Sequence, residues 1–155
     1  MLPGLEDMGI KMLMNESETI IRGRDSLHLV GIDYAHFYRA DNIEKATEAI
    51  PHYDFSVLVT HTTEIYRQAA HADFDVMISG HTHGGQVAIP FISHHFIPIK
   101  DPIRYQAGLI EESYGYTYVN RGIGTLVFPF RIAAPPEITY LTLQKDGSEK
   151  ISAKI

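Results

Sequence analysis

Two short apolar runs, each ending in a histidine, limit what this chain can fold into. Phe55-Ser56-Val57-Leu58-Val59-Thr60 leads to His61. Asp75-Val76-Met77-Ile78 leads to Ser79-Gly80-His81-Thr82-His83-Gly84-Gly85-Gln86. Apolar runs of this length, bounded by turn residues, read as buried strands. The stretch between them puts Tyr66, Ala69 and Ala70 on one helical face. Thr62 or Thr63 is placed to cap that helix, and His71 falls in its last turn, where the helix dipole favours a protonated imidazole. Strand–helix–strand is a βαβ unit, so the two strands are expected to be parallel, with a right-handed crossover. Open α/β sheets bind ligands in the crevice outside the carboxyl ends of their strands. That crevice is where this order delivers His61, His81 and His83.

Imidazole is the commonest metal ligand near neutral pH because it is largely unprotonated there. A spacing of two along a strand puts both rings on one face. A bend at Gly80, Gly84 or Gly85 would instead splay them toward two neighbouring ions, and glycine permits both the bend and close approach of backbone to a ligand. Taken alone, H-x-H also fits two loop histidines capping a strand end. The second strand-end histidine is what favours a site. The other histidines read differently. His28 alternates with apolar neighbours and is expected to be a half-buried strand residue. His36 lies in an aromatic loop, 33–40, that the pattern does not place. His94 and His95 are adjacent, so on an extended chain their side chains point oppositely, and they read as surface or rim residues.

Elsewhere, 9–15 reads as a strand, 16–18 as a turn, and 19–22 and 26–32 as two further strands of an antiparallel meander. Asp41 is placed as an N-cap, with Glu44 completing a capping box. Ile43, Ala46 and Ile50 follow at helical spacing, and Pro51 ends the segment. Residues 88–104 carry Pro90, Pro98 and Pro102 and read as irregular. Strands are expected at 105–111, 116–120, 125–130 and 137–143, and a polar fraying end from Lys145 onward.

The 155 residues suffice for a single domain with a real core. The formal net charge is −6 and no Lys/Arg run occurs, which argues against a nucleic-acid binder, whose affinity rests on neutralising phosphates. A phosphate substrate stays open, because bound cations reverse the local field. With no cysteine, disulfides, thiolate zinc sites and cysteine nucleophiles are excluded. No apolar run approaches the roughly 20 residues of a membrane span, and residues 1–7 lack the basic and apolar regions of a signal peptide.

Several segments together resemble the calcineurin-like metallophosphoesterases, in particular the bacterial branch with Ser-Gly-His-Thr-His-Gly-Gly-Gln (79–86). Gly-Ile-Lys-Met-Leu-Met-Asn-Glu (9–16), Leu-Val-Gly-Ile-Asp (29–33) and Leu-Val-Thr-His-Thr (58–62) are similar to that branch. So are Tyr-Val-Asn-Arg-Gly-Ile-Gly-Thr (118–125) and Phe-Pro-Phe-Arg-Ile-Ala-Ala-Pro-Pro-Glu (128–137). The resemblance implies an α/β fold of β-sandwich type flanked by helices, with two divalent metal ions (Mn, Fe or Zn) at one edge. It implies that His61 and His81 bind one ion and His83 the other, and that a metal-activated water attacks a phosphate ester. Asn120 and Arg121 are candidates to contact that substrate, as is Arg131, since guanidinium suits phosphate oxygens. The alternative for the arginines is pairing with Glu137 or a carbonyl.

The departures matter as much. The family's Asp-x-His, Gly-Asp and Gly-Asn-His-Asp motifs do not occur here. The chain is therefore expected to correspond to the rear portion of such a domain, incomplete for catalysis alone, since two ions without a bridging carboxylate repel each other. Val57, Val59, Val76 and Ile78 are then expected to be exposed and to seek a partner, either a second copy or a separate front half. The competing reading is a non-catalytic metal-binding or assembly module. A mononuclear amidohydrolase fits poorly, because that barrel takes about 250 residues and carries its H-x-H on the first strand. Localisation stays open: nothing here points beyond the cytoplasm, while relatives in this branch often carry a front-end membrane or export segment.

Overall fold

The computed structural model describes residues 2–33, 41–52, 54–91, 95, 97–144 and 152–154. His36 and His94 lie outside them. The chain begins with a short helix α1 (Leu2–Glu6), then strands β1 (Glu16–Arg22) and β2 (Asp25–Gly31). Helix α2 (Ile43–Thr47) and strand β3 (Ser56–Val59) follow. A 3-10 turn (Thr63–Ile65) runs into α3 (Tyr66–His71), and then comes β4 (Val76–Ser79). After a second 3-10 turn (His83–Gly85) come β5 (Gly108–Glu112), β6 (Gly115–Val119), β7 (Tyr140–Thr142) and β8 (Ser152–Lys154).

Six strands form one sheet in the order β1-β2-β3-β4-β6-β5, and β7 pairs with β8 apart from it. The four inner strands are parallel to one another. An antiparallel hairpin closes each edge. This is an α/β fold with a mixed sheet, the expected class. The predicted parallel relation of the two histidine-bearing strands is found, with Leu58 opposite Met77.

Alternation along the strands sends Val30, Leu58 and Met77 to one face, where Ile43 and Ala46 of α2 and Ile65, Ala69 and Phe74 around α3 bury them. Each Leu or Met so buried contributes roughly 1.5–3 kcal/mol. The opposite face is less complete. Of the four residues expected to be exposed there, Val57 and Val76 are buried, Ile78 is half-buried, and Val59 is 40% exposed. The register places Ile20 of β1 and Leu109 of β5 on that same side, both exposed.

Several boundaries differ from the sequence reading. Residues 9–15 are not a strand, and 16–18 are not a turn: Glu16 opens β1 and pairs with Gly31. The expected meander is a hairpin. Residues 9–15 instead pass so close to β2 that a Cβ on Gly31 would overlap that of Leu13 and lie 2.6 Å from its carbonyl oxygen. Asn42, not Asp41, caps α2, accepting from the Lys45 amide at 2.9 Å. Neither Thr62 nor Thr63 caps by its hydroxyl; both hydroxyls are buried with no hydrogen-bond partner among the described residues. Residues 125–130 form no strand, because Val127 is left-handed at φ 61 and Pro129 has no N–H to give a ladder. Ser152–Lys154, expected to fray, pairs with β7. His28 is buried rather than half-buried, with Nδ1 3.0 Å from Thr19 Oγ1 and Nε2 3.1 Å from Asp54 Oδ2, a strand histidine as expected.

Three tyrosines make the chain labile to alkali. Burial pushes Tyr105, Tyr114 and Tyr118 above the ordinary phenol range, and carboxylate partners add to this at Tyr105 (Glu112) and Tyr118 (Glu137). The folded chain therefore holds these protons more tightly than the unfolded chain does. The stabilisation is complete below about pH 10 and is lost as pH rises above it, by up to about 1.4 kcal/mol per pH unit for each tyrosine. Urea midpoints should stay level on this account to about pH 10 and then fall. Midpoints that hold level to the strongest alkali tolerated would contradict it.

Candidate metal centre

The histidines meet because the ladder between β3 and β4 runs on past both strands. Thr60 N donates to Ile78 O at 3.0 Å, and Gly80 N donates to His61 O at 3.2 Å. Asn120 N donates to Ser79 O at 2.8 Å, which brings the end of β6 to the same edge. His61 and His81 then face each other, with Nδ1 of His81 2.9 Å from Nε2 of His61. Their ring centroids lie 4.7 Å apart and their planes cross at 66°.

The 81–86 loop bends at its histidines. His81, His83 and Gln86 have φ of 70°, 52° and 50°, and Gly84 and Gly85 are left-handed beside them. For a non-glycine residue this region costs of order 1–3 kcal/mol and persists only where the surroundings fix it. Here they do. Thr82 Oγ1 donates to Gln106 O at 2.7 Å and accepts from Gly84 N at 3.2 Å. Gln106 Nε2 donates to Gly84 O at 2.9 Å. A Cβ on Gly84 would lie 2.9 Å from Arg121 Cγ, and one on Gly85 would lie 2.8 Å from Gln106 Nε2. Both positions favour glycine by φ; at Gly84 the Arg121 stem crowds a Cβ as well, while at Gly85 the Gln106 amide would have to leave Gly84 O.

His83 is turned elsewhere, with Nδ1 3.3 Å from Gly124 O. A carbonyl on one ring nitrogen fixes the tautomer and leaves the other nitrogen to act as a ligand. Among the described residues no group of three or more His, Asp or Glu side chains converges on one point. The arrangement is a pair plus one.

The fit to a cation can be tested on the pair. Two nitrogens each about 2.0–2.1 Å from one ion lie about 3.3–3.4 Å apart at the tetrahedral angle and about 2.8–3.0 Å apart at right angles. The observed 2.9 Å is a hydrogen-bond distance between the two rings, and an ion at right angles to both nitrogens would need no movement of them, whereas a tetrahedral ion would need them a few tenths of an ångström further apart. Nearby, Ser79 buries its hydroxyl with no hydrogen-bond partner among the described residues, as Thr62 does. Neutral imidazoles suit Zn, Fe and similar ions. A depression of about 480 Å³ lined by Asp41, Glu44, Gln68 and His71 lies against α2 and α3, away from these histidines.

Asn120 and Arg121 leave β6 beside the pair, and their side chains gather on Glu137. Arg121 Nη1 donates to Glu137 Oε2 at 3.0 Å. Asn120 Nδ2 donates to Thr139 Oγ1 at 2.9 Å and to Glu137 Oε1 at 3.3 Å, while its Oδ1 accepts from Gly122 N at 2.6 Å. Tyr118 and Thr139 donate to the same carboxylate. Arg131 binds carbonyls, not a carboxylate: His83 O at 3.0 Å, Arg121 O at 2.9 Å, Gly122 O and Gly124 O at 3.1 Å, and Ala134 O at 3.2 Å. It ties the 121–124 backbone to the histidine loop. Sequence reasoning missed the buried hub at Glu137, for which its presence as one possible arginine partner was the sole signal. It missed Gln86 as well, which fixes the 126–128 backbone.

The structure thus brings together a histidine pair at parallel strand ends and sets a third histidine on a strained glycine-rich loop. The chain is 36% identical over 90 residues to the uncharacterised metallophosphoesterase YkuE of Bacillus subtilis, spanning 58% of the chain and 31% of that relative. It is 29% identical over 139 residues to the phosphodiesterase YaeI of Escherichia coli, covering 90% of the chain and 49% of the relative. It is 33% identical over 146 residues to an uncharacterised metallophosphoesterase of Helicobacter pylori, covering 86% and 38% respectively. The chain thus spans half or less of the length of these relatives. No protein-family model and no solved structure matches it significantly. These similarities support the calcineurin-like metallophosphoesterase family.

Proposed function

We propose that the chain contributes to hydrolysis of a phosphate ester by presenting His61 and His81 to one divalent ion and His83 to a second. The observation that supports this most directly is the 2.9 Å approach of His81 Nδ1 to His61 Nε2 at neighbouring strand ends. Bound cations would supply an acidified water and neutralise phosphoryl oxygens. The chain's own part is to hold the imidazoles at the strand ends, while Asn120 and Arg121, whose side chains are anchored on Glu137, shape the rim on the substrate side. The described residues bring no carboxylate to the pair, so the bridging ligand is proposed to come from polypeptide beyond the matched half of the relatives. The partly open sheet face around Val59 is where such a segment, or a second copy, would pack.

A second reading, a metal-binding module without turnover, is favoured because no group of three or more His, Asp or Glu side chains converges among the described residues. One set of experiments separates the two. Co²⁺ spectra and Mn²⁺ titrations should show binding that weakens by at least about a hundredfold in His61→Ala or His81→Ala, more than loss of a supporting contact would cause. Hydrolysis of a generic phosphodiester should appear when the chain is mixed with the front half of a relative, together with faster sedimentation of the mixture. Metal uptake without turnover in either case supports the module. A clean monomer at high concentration, with or without the front half, sinks the pairing.

A further inference from the structure

Arg131, a candidate for phosphate contact by its residue type, has no donor to spare for a phosphate. A guanidinium carries five N–H groups in a rigid fork. Here Nε donates to Gly124 O at 3.1 Å. Nη1 donates to His83 O at 3.0 Å and to Ala134 O at 3.2 Å. Nη2 donates to Arg121 O at 2.9 Å and to Gly122 O at 3.1 Å, and reaches Gly124 O as well. Two of these carbonyls concern His83. One is its own. The other, Gly124 O, lies 3.3 Å from its Nδ1.

The backbone beside Arg131 is fixed to the same loop. Ile132 N donates to Gln86 O and Ala88 N donates to Ile132 O, both at 2.8 Å. The guanidinium therefore reaches back over the histidine loop from the loop's exit. His83 is left-handed at φ 52, a conformation that persists only where the surroundings fix it. The bond from Nη1 to His83 O is one such restraint. The contact at Nδ1 has a chemical result. A carbonyl oxygen only accepts, so Nδ1 must hold the proton and the lone pair stays on Nε2. A histidine free in water favours the reverse, with the proton on Nε2.

We propose that Arg131 is the positioning residue of His83: by gripping His83 O and Gly124 O in one fork, it keeps the proton on Nδ1 and the lone pair on Nε2. A planar fork can span carbonyls of residues 83, 124 and 134 at once, and a single ammonium cannot. A metal ligand is oriented in this way, through the partner on its other ring nitrogen. Use of that lone pair by a cation rests on the phosphoesterase reading. The tautomer does not, because it is read without metal.

Ring-nitrogen NMR shifts of His83 in the metal-free chain are the measurement. The parent should show the proton on Nδ1. Arg131→Lys keeps the charge and loses the fork, so His83 should move toward the Nε2-protonated form while the His61 and His81 signals stay in place. Arg131→Gln, with one amide left to reach a carbonyl, is the second variant and should do the same. Gln86→Met releases the 126–128 backbone but leaves Arg131 on Gly124, so it should keep the parent tautomer. Added Zn²⁺ should move the His83 Nε2 signal in the parent, and Arg131→Lys should need about 10–100 times more zinc for the same movement. The proposal is overturned if the parent carries the proton on Nε2, if both Arg131 variants keep it on Nδ1, or if Gln86→Met shifts it as much as they do. A tautomer that depends on Arg131, with no response of His83 to zinc, supports the fork and sinks only the metal role of His83. An equal zinc response in parent and Arg131→Lys, with the tautomer unmoved, sinks the fork alone.

Discussion

Glu137→Ala is expected to destabilise the chain by about 3 kcal/mol, the low end of what breaking a buried ion pair costs. The low end applies because Arg121 keeps 29% of its side chain in solvent, while that of Glu137 keeps 1%. The variant leaves Arg121 without its counter-charge and strips Tyr118 and Asn120 of an acceptor. For a domain of this size the melting midpoint should fall by about 6–12 °C. Glu137→Gln keeps the acceptor and loses the charge, so it should fall between. Metal affinity should drop in parallel, because Asn120 N holds Ser79 O two residues before His81. An unchanged midpoint in Glu137→Ala would show that the carboxylate does not organise this end of the sheet.

Gly115→Ala should cost more, about 4 kcal/mol or above, a size reserved for a few named mechanisms. The mechanism here is overlap with backbone. Gly115 opens β6 at φ 147, and a Cβ there would overlap Asp75 O and lie 2.9 Å from its carbonyl carbon. Asp75 cannot yield cheaply. Its O accepts from Tyr116 N at 2.9 Å, its N donates to Ser56 O at 3.2 Å, and its Oδ2 accepts from Ser56 N at 2.8 Å. Moving Asp75 unpicks β3, β4 and β6 together. The expected outcome is a chain that is insoluble or melts at least about 8–16 °C lower. Gly4→Ala is the control, with nothing within 4 Å of the added methyl and alanine the better helix former by roughly 1 kcal/mol. Equal stability of the two variants would refute the overlap.

What could be read from the sequence was whatever depends on short-range pattern. Apolar runs of four to six residues gave β3 and β4, helical spacing gave the buried side of α3, and the chain order of those elements gave parallel strands with histidines at one edge. Conformations imposed from a distance were hidden. Nothing in Glu16-Ser17-Glu18 announces a strand until its partner, residues 29–31, is known. Val127 and Phe128 favour strand by propensity, yet Gln86, some forty residues earlier, fixes them as a loop. The left-handed histidines belong to the same class, since residue type alone predicts the reverse. Glu137 was visible solely as one possible partner for an arginine, because a hub is defined by residues that converge on it from separate segments.

The strand order carries a consequence for biosynthesis. β6 lies against β4 although the chain between them is long, so the hydrogen-bonding edge of β4 has no neighbour on that side while residues 80–115 are being made. At about 5–20 residues per second that interval lasts roughly 2–7 s. During it a nascent chain offers an apolar, unpaired edge of the sort that recruits other strands. Yield on expression should therefore depend on translation speed through this interval and on chaperone supply, even for variants whose finished fold is as stable as the parent.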